Sequence, residues 1–133
     1  MEGSKVLDLF CGSGAVGFEC VSRGADEVVF VDLNTQLTVK NAEHLKTEDS
    51  CRIIRADSMK YIESTQESFD FLFADPPYDF QHYDQLVLRS LLISKVTILE
   101  HPGSYVPCES IKTNLILSRK AGRAHFSIFE QPN

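Results

Sequence analysis

Short apolar runs alternate with helical patterns five times along this chain, and that alternation constrains its fold more than any other feature. Apolar strands separated by amphipathic segments read as an α/β fold, a mostly parallel sheet covered by helices on both faces. Lys5 to Phe10 is the first expected strand, followed by a glycine loop and a helix from about Ala15 that stops at Gly24. Glu27 to Asp32 is the second, with Asn34 or Thr35 capping a helix that runs to about Lys46. Arg52 to Ala56 is the third, and Asp57 or Ser58 caps a short helix through Ile62. Phe69 to Ala74 is the fourth, Tyr83 to Leu92 a helix, and Lys95 to Glu100 the fifth strand. The ending departs from the rhythm. Asn114 to Ser118 and Ala124 to Phe129 read as an antiparallel hairpin across a short connection that contains Gly122.

One domain spanning residues 1–133 is expected, since 133 residues support a single core and no linker or repeat interrupts them. Hydrophobic content of 43% and charged content of 24% are those of a soluble globular protein. No apolar run approaches the roughly 20 residues of a bilayer span, and no secretory leader is recognisable. Cys11, Cys20, Cys51 and Cys108 show no C-x-x-C pair, which predicts reduced thiols and a cytoplasmic location. His44, His82, His101 and His125 lack metal-ligand spacing, so no metal is expected. The net charge of −6 speaks against a strong nucleic-acid footprint, although it leaves room for a local basic patch.

The loop after the first strand reads Asp8-Leu9-Phe10-Cys11-Gly12-Ser13-Gly14-Ala15-Val16-Gly17. Gly12, Gly14 and Gly17 satisfy G-x-G-x-x-G, and Asp32 lies 20 residues past Gly12 at the end of the second strand. Glycines let backbone approach a ligand, a helix N-terminus attracts its anionic part, and the Asp32 carboxylate suits ribose hydroxyls. A nucleotide-like cofactor follows. Asp8, four positions before the first glycine, would oppose a pyrophosphate but favour an ammonium, such as that of S-adenosylmethionine. Asp57 either accepts from an adenine amino group or caps the helix that follows it.

Asp75-Pro76-Pro77-Tyr78 leaves the carboxyl end of the fourth strand, where ligands of open α/β sheets bind. The two prolines stiffen the loop and remove two N–H donors. What remains is a carboxylate, uncommitted carbonyls and an aromatic face, a set suited to a planar base held by its amino group. A rigid turn is the competing reading.

With both motifs in view, Val6 to Gly17 resembles the first motif of class I S-adenosylmethionine-dependent methyltransferases. Asp75-Pro76-Pro77-Tyr78 resembles the motif of those that methylate exocyclic amino groups of bases. Ser22-Arg23-Gly24-Ala25 and the terminal hairpin bring the chain closest to the bacterial 16S rRNA guanine-N2 methyltransferase family, over nearly its whole length. The resemblance implies a seven-stranded, Rossmann-like sheet in the order 3-2-1-4-5-7-6 with strand 7 antiparallel. It also implies that a basic N-terminal segment of the family is missing here, so that the chain is truncated.

The candidate catalytic residues are therefore Asp75, Pro76, Pro77 and Tyr78. Candidate cofactor-binding residues are Asp8, Phe10, Gly12, Gly14, Asp32, Leu33, Asp57, Ser58 and Asp75. The expected substrate is 16S rRNA or a small ribosomal subunit particle; the oligomeric state stays open. Asp75 and the Pro76 carbonyl would accept the amino hydrogens of the base while Tyr78 stacks on it, and the base would be flipped or single-stranded. Phe80, His82 and Tyr83 either line the base pocket or pack the loop. Lys112, Arg119, Lys120 and Arg123 form a basic cluster that reads first as a solvated turn and second as an RNA contact. The rivals are an adenine-N6 methyltransferase, a non-catalytic S-adenosylmethionine-binding domain and, against Asp8 and the proline loop, an NAD-dependent oxidoreductase.

Overall fold

Each apolar run forms a strand, and the central strands draw the rest into one sheet because they are apolar on both sides and cannot be left uncovered. The computed structural model describes residues 1–132. Its strands are β1 (Lys5–Leu9), β2 (Glu27–Asp32), β3 (Cys51–Arg55), β4 (Phe69–Ala74), β5 (Ser94–His101), β6 (Leu115–Ala121) and β7 (Ala124–Glu130). Between them lie α1 (Ala15–Ser22), α2 (Gln36–Leu45), α3 (Ser58–Ser64), α4 (Tyr83–Ile93) and the single turn α5 (Glu109–Lys112). The sheet order is β3-β2-β1-β4-β5-β7-β6, with β7 antiparallel to both neighbours. That is the order and polarity expected from the class I methyltransferase resemblance.

Alternation along the strands sends residues to two cores. Leu7, Leu9, Val31, Leu72, Leu99 and Phe129 pack with Ile62 of α3, Leu86 and Leu91 of α4, and Ile111 of α5. Val6, Val28 and Phe30 face the other way, against Phe18 and Cys20 of α1 and Ala42 of α2. Burying each such Leu or Phe contributes about 1.5–3 kcal/mol, and this is what holds the cleft-bearing edge in place. Gly17 is required by that packing, because a Cβ there would lie 2.2 Å from the Phe30 ring.

Several boundaries differ from the expected ones, each for a long-range reason. β1 stops at Leu9 because Phe10 turns to φ 54°, a left-handed conformation that no strand tolerates. β3 starts one residue early, since Cys51 pairs with Val28, and it ends before Ala56. β5 gains Ser94 and His101 through pairing with Phe69 and His125. The first hairpin strand runs on to Ala121 and the second begins at Ala124 as expected and ends at Glu130, leaving Gly122 and Arg123 as a two-residue turn with Gly122 at φ 63°. Among the described residues no helix is long and apolar enough to cross a membrane.

Candidate active site

The carboxyl ends of β1, β2, β3, β4 and β5 open on one rim of the sheet, and the candidate catalytic and cofactor-binding residues lie there or directly after those strands. Beyond β1 the chain is folded into the glycine loop by local bonds. Cys11 N–H donates to the Val31 carbonyl (3.2 Å), and Gly14 N–H donates to the Cys11 carbonyl (2.8 Å). Gly12 and Gly14 take φ of 56° and 84°, which only glycine adopts without cost. α2 holds the loop from behind: Thr38 Oγ1 donates to the Gly12 carbonyl (2.7 Å) and Asn41 Nδ2 to that of Ser13 (2.9 Å). Nothing in the motif itself pointed to Thr38 or Asn41. Only their spacing, one helical turn apart on α2, carries the signal.

Asp32, at the end of β2, spends its carboxylate on that loop. Oδ2 accepts from Gly12 N–H (2.8 Å) and Oδ1 from Leu33 N–H (2.7 Å). Asp8 is 4% exposed and accepts from Gly17 N–H at the start of α1 (3.1 Å). Burial pushes its carboxyl up to about 7; the Gly17 N–H opposes that rise, and the charges of Asp32 and Asp75 add to it. No cation pairs with Asp8 among the described residues.

Ser58 and Phe10 have internal roles. Phe10 N–H donates to Ser58 Oγ (3.1 Å), and the Phe10 ring meets Phe80 edge-on at 5.5 Å. Asp57 caps α3, its Oδ1 accepting from Lys60 N–H (3.0 Å). Leu33 is exposed and lines a cavity of about 220 Å³ with Asn34, Thr35, Gln36 and Arg55.

After β4, Pro76 is buried while Asp75, Pro77 and Tyr78 are exposed, Tyr78 by 94%. The Pro77 carbonyl accepts from Phe80 N–H (2.9 Å), closing a turn. Phe80 then packs edge-on against Tyr83 (5.0 Å) and His82 (5.8 Å). Phe80 and His82 thus pack the loop. Tyr83 lines a cavity of about 300 Å³ with Asp75, Pro76, Tyr78, Glu100, His101, Pro102, Arg123 and Ala124. His101 is committed: its Nδ1–H donates to the Pro102 carbonyl (2.8 Å) and Nε2 faces Ser127 Oγ (2.7 Å).

Glu100 is the functional candidate that sequence reasoning did not single out. Burial and the Asp75 carboxyl beside it hold its own carboxyl above the usual range. The available signal was its place at the end of the strand next to β4. A second, smaller cavity joins Asp75 and Glu100 to Asp8, with Val16, Phe73, Ile98 and Phe126 as its apolar walls. The glycine-loop motif and the proline loop, 58 residues apart between Gly17 and Asp75, therefore meet in one cleft. Among the described residues no three His, Cys, Asp or Glu side chains cluster as metal ligands would.

The profile of a family described as conserved hypothetical protein 95 matches residues 1–130. The chain belongs to that family. Ribosomal RNA small subunit methyltransferase D of Haemophilus influenzae is 33% identical over 115 residues, covering 82% of this chain and 58% of the relative. The family member described here thus spans less than two thirds of that relative. A conserved hypothetical protein of Streptococcus pyogenes shares the fold with a TM-score of 0.88 at 23% identity, over 99% of this chain and 88% of the other. SMU.776, solved in complex with SAH, shares it with a TM-score of 0.74 at 15% identity, over 96% and 45%.

Proposed function

We propose that this chain transfers a methyl group from S-adenosylmethionine to the exocyclic amino group of a base in RNA, with guanine N2 of 16S rRNA as the acceptor. The observation that carries the reading is the cleft itself. Asp8, a buried carboxyl with no cationic partner among the described residues, shares a cavity with Asp75 of the proline loop. A buried carboxyl without a counter-charge is costly, and the ammonium of an amino-acid moiety would relieve it. The residues present fit the cofactor. Asp8 would hold its ammonium, the glycine loop and the start of α1 its carboxylate, and Leu33 would pack its adenosine portion. Asp57 would accept from the adenine amino group with the oxygen not used in capping.

S-adenosylmethionine supplies an electrophilic sulfonium methyl. The chain's own residues position and activate the acceptor. The lone pair of an exocyclic amino nitrogen is delocalised into the ring, which makes it a poor nucleophile. Asp75 and the Pro76 carbonyl, each accepting one amino hydrogen, favour a pyramidal nitrogen and stabilise the charge that grows on it. The two prolines keep these acceptors in place without reorganisation. Tyr78, standing in solvent, is free to stack on the base.

An RNA acceptor is supported by charge distribution. The chain carries −6 overall, yet from Lys112 to Phe129 it has Lys112, Arg119, Lys120 and Arg123 and no acidic residue. Arg119, Lys120 and Arg123 make no ion pair among the described residues, and Arg123 borders the cavity of Asp75. Unpaired cations at the mouth of an acidic cleft suit the phosphates that flank an extruded nucleotide.

The test is methyl transfer from labelled S-adenosylmethionine to 16S rRNA and, separately, to small ribosomal subunits, followed by nucleoside analysis. N2-methylguanosine is the expected product. N6-methyladenosine would move the acceptor to adenine. Binding of SAH without transfer to either RNA would leave a cofactor-binding domain, and binding of NAD in place of SAH would overturn the proposal.

A further inference from the structure

Asp75 and Glu100 leave adjacent parallel strands at the same level, because Ala74 of β4 pairs with Leu99 of β5. Of the residues that line the cavity beside Tyr78 and the cavity that reaches Asp8, only Asp75 and Glu100 line both. They form the wall between the place of the base and the place of the methyl donor. The two carboxyl groups lie within hydrogen-bond reach of each other, and neither receives a hydrogen bond from an N–H or hydroxyl donor, or an ion pair, among the described residues. Two carboxyl groups set side by side, with no partner beyond each other, present a pair of acceptors to a ligand that brings its own donors.

That pair selects among bases by elementary hydrogen-bond chemistry. Guanine offers two neighbouring donors on one edge, N1–H and the 2-amino group. Adenine offers its amino group flanked on each side by a ring-nitrogen lone pair, which a second carboxylate repels. We infer that Glu100 is a second substrate-contacting residue, which accepts from guanine N1–H while Asp75 holds the 2-amino group, and so restricts the acceptor to guanine. The inference rests on the methyltransferase reading and supplies its base specificity. Accepting from N1–H also raises electron density along N1–C2–N2, which makes the amino nitrogen a better nucleophile. A merely structural Glu100 would do neither.

The deciding experiment uses the full chain, S-adenosylmethionine and a 16S rRNA fragment carrying guanosine or 2-aminopurine at the position that the wild type methylates. 2-Aminopurine keeps the 2-amino group and lacks N1–H. It also lacks the 6-oxygen, a loss common to every variant and cancelled when preferences are compared. The wild type is expected to prefer guanosine by about 100-fold in kcat/KM, since a site with an unanswered acceptor rejects the analogue. Glu100→Ala is expected to narrow that preference to less than about fivefold, by losing rate on guanosine and little on 2-aminopurine. Glu100→Gln, which keeps a carbonyl acceptor, should fall between them. Equal losses on both substrates, with the preference intact, would overturn the inference and leave the methyltransferase reading standing. N6-methyladenosine as the wild-type product would overturn the inference, and SAH binding with no transfer at all would overturn both. SAH titration checks that each variant is folded; should Glu100→Ala fail it, Glu100→Gln decides, and an unchanged preference there overturns the inference.

Discussion

On the β1–β2–β3 side of the cleft, polar side chains are held by the backbone: Asp8 by Gly17, Asp32 by Gly12 and Leu33, Asp57 by Lys60, Ser58 by Phe10. On the β4–β5–β7 side, Asp75 and Glu100 have no backbone donors among the described residues, and Tyr78 stands in solvent. The first side is a finished mould whose loop is fixed before any ligand arrives. The second is a set of unsatisfied acceptors on a stiff loop. A site organised in this way binds one partner in a preformed seat and leaves chemical selection to groups that only the other partner satisfies.

Removing a group from the open side should affect turnover and spare the mould. Asp75→Ala is expected to lower kcat by about 100- to 1,000-fold, the usual loss for a deleted group that stabilises developing charge. SAH affinity, measured by calorimetry, should stay within a few-fold. Equal turnover would remove Asp75 from the chemistry, and a parallel collapse of SAH affinity would show that the two sides are not separable.

The mould should answer to pH through Asp8. Its carboxyl titrates near 7 in the ligand-free chain, and a bound ammonium favours its ionised form. Affinity for SAH should therefore be full above pH 7 and fall by up to about tenfold per unit below it. Without ligand, the same shift runs the other way for stability. Between about pH 4 and 7 the folded chain holds a proton that the unfolded chain has released, so Asp8 favours the fold less as pH rises, by on the order of 4 kcal/mol across the window. Asp8→Asn should flatten both dependences relative to wild type, in titrations and in urea unfolding at pH 5 and 7.5. A flat SAH affinity in the wild type would take the ammonium away from Asp8.

The smallest effect is expected from Tyr78→Ala. Loss of a stacking face should weaken RNA binding by roughly 1–3 kcal/mol. The unfolding midpoint should not move, because the side chain is 94% exposed. A shift in stability would mean that the ring packs on the fold rather than on a base.

Much of this architecture could be read along the chain, because strands and helices announce themselves by periodicity and each motif is contiguous. Glu27–Asp32 and Phe69–Ala74 appear with the expected limits. The glycine loop and the proline loop sit at strand ends, where local turn chemistry puts them. Partners more than a few residues away were not legible in the same way. Asp32 reads as a candidate ribose ligand from its spacing, and the bond that ties its Oδ2 to Gly12 N–H across 20 residues is what the spacing alone did not reveal.

What the linear order of residues determined by itself was therefore the set of elements, the two motifs and the chemical character of the acidic and aromatic groups they carry. Periodicity, capping and turn preference act over a few residues and need no third dimension. Only the tertiary structure decided which of those groups are occupied and which are open. The parallel register of β4 and β5 set Glu100 beside Asp75, and the return of β7 brought Arg123 to the same cavity. Strand pairing joins residues that are distant in sequence, and hydrogen-bond satisfaction depends on those neighbours, so neither could be settled one segment at a time.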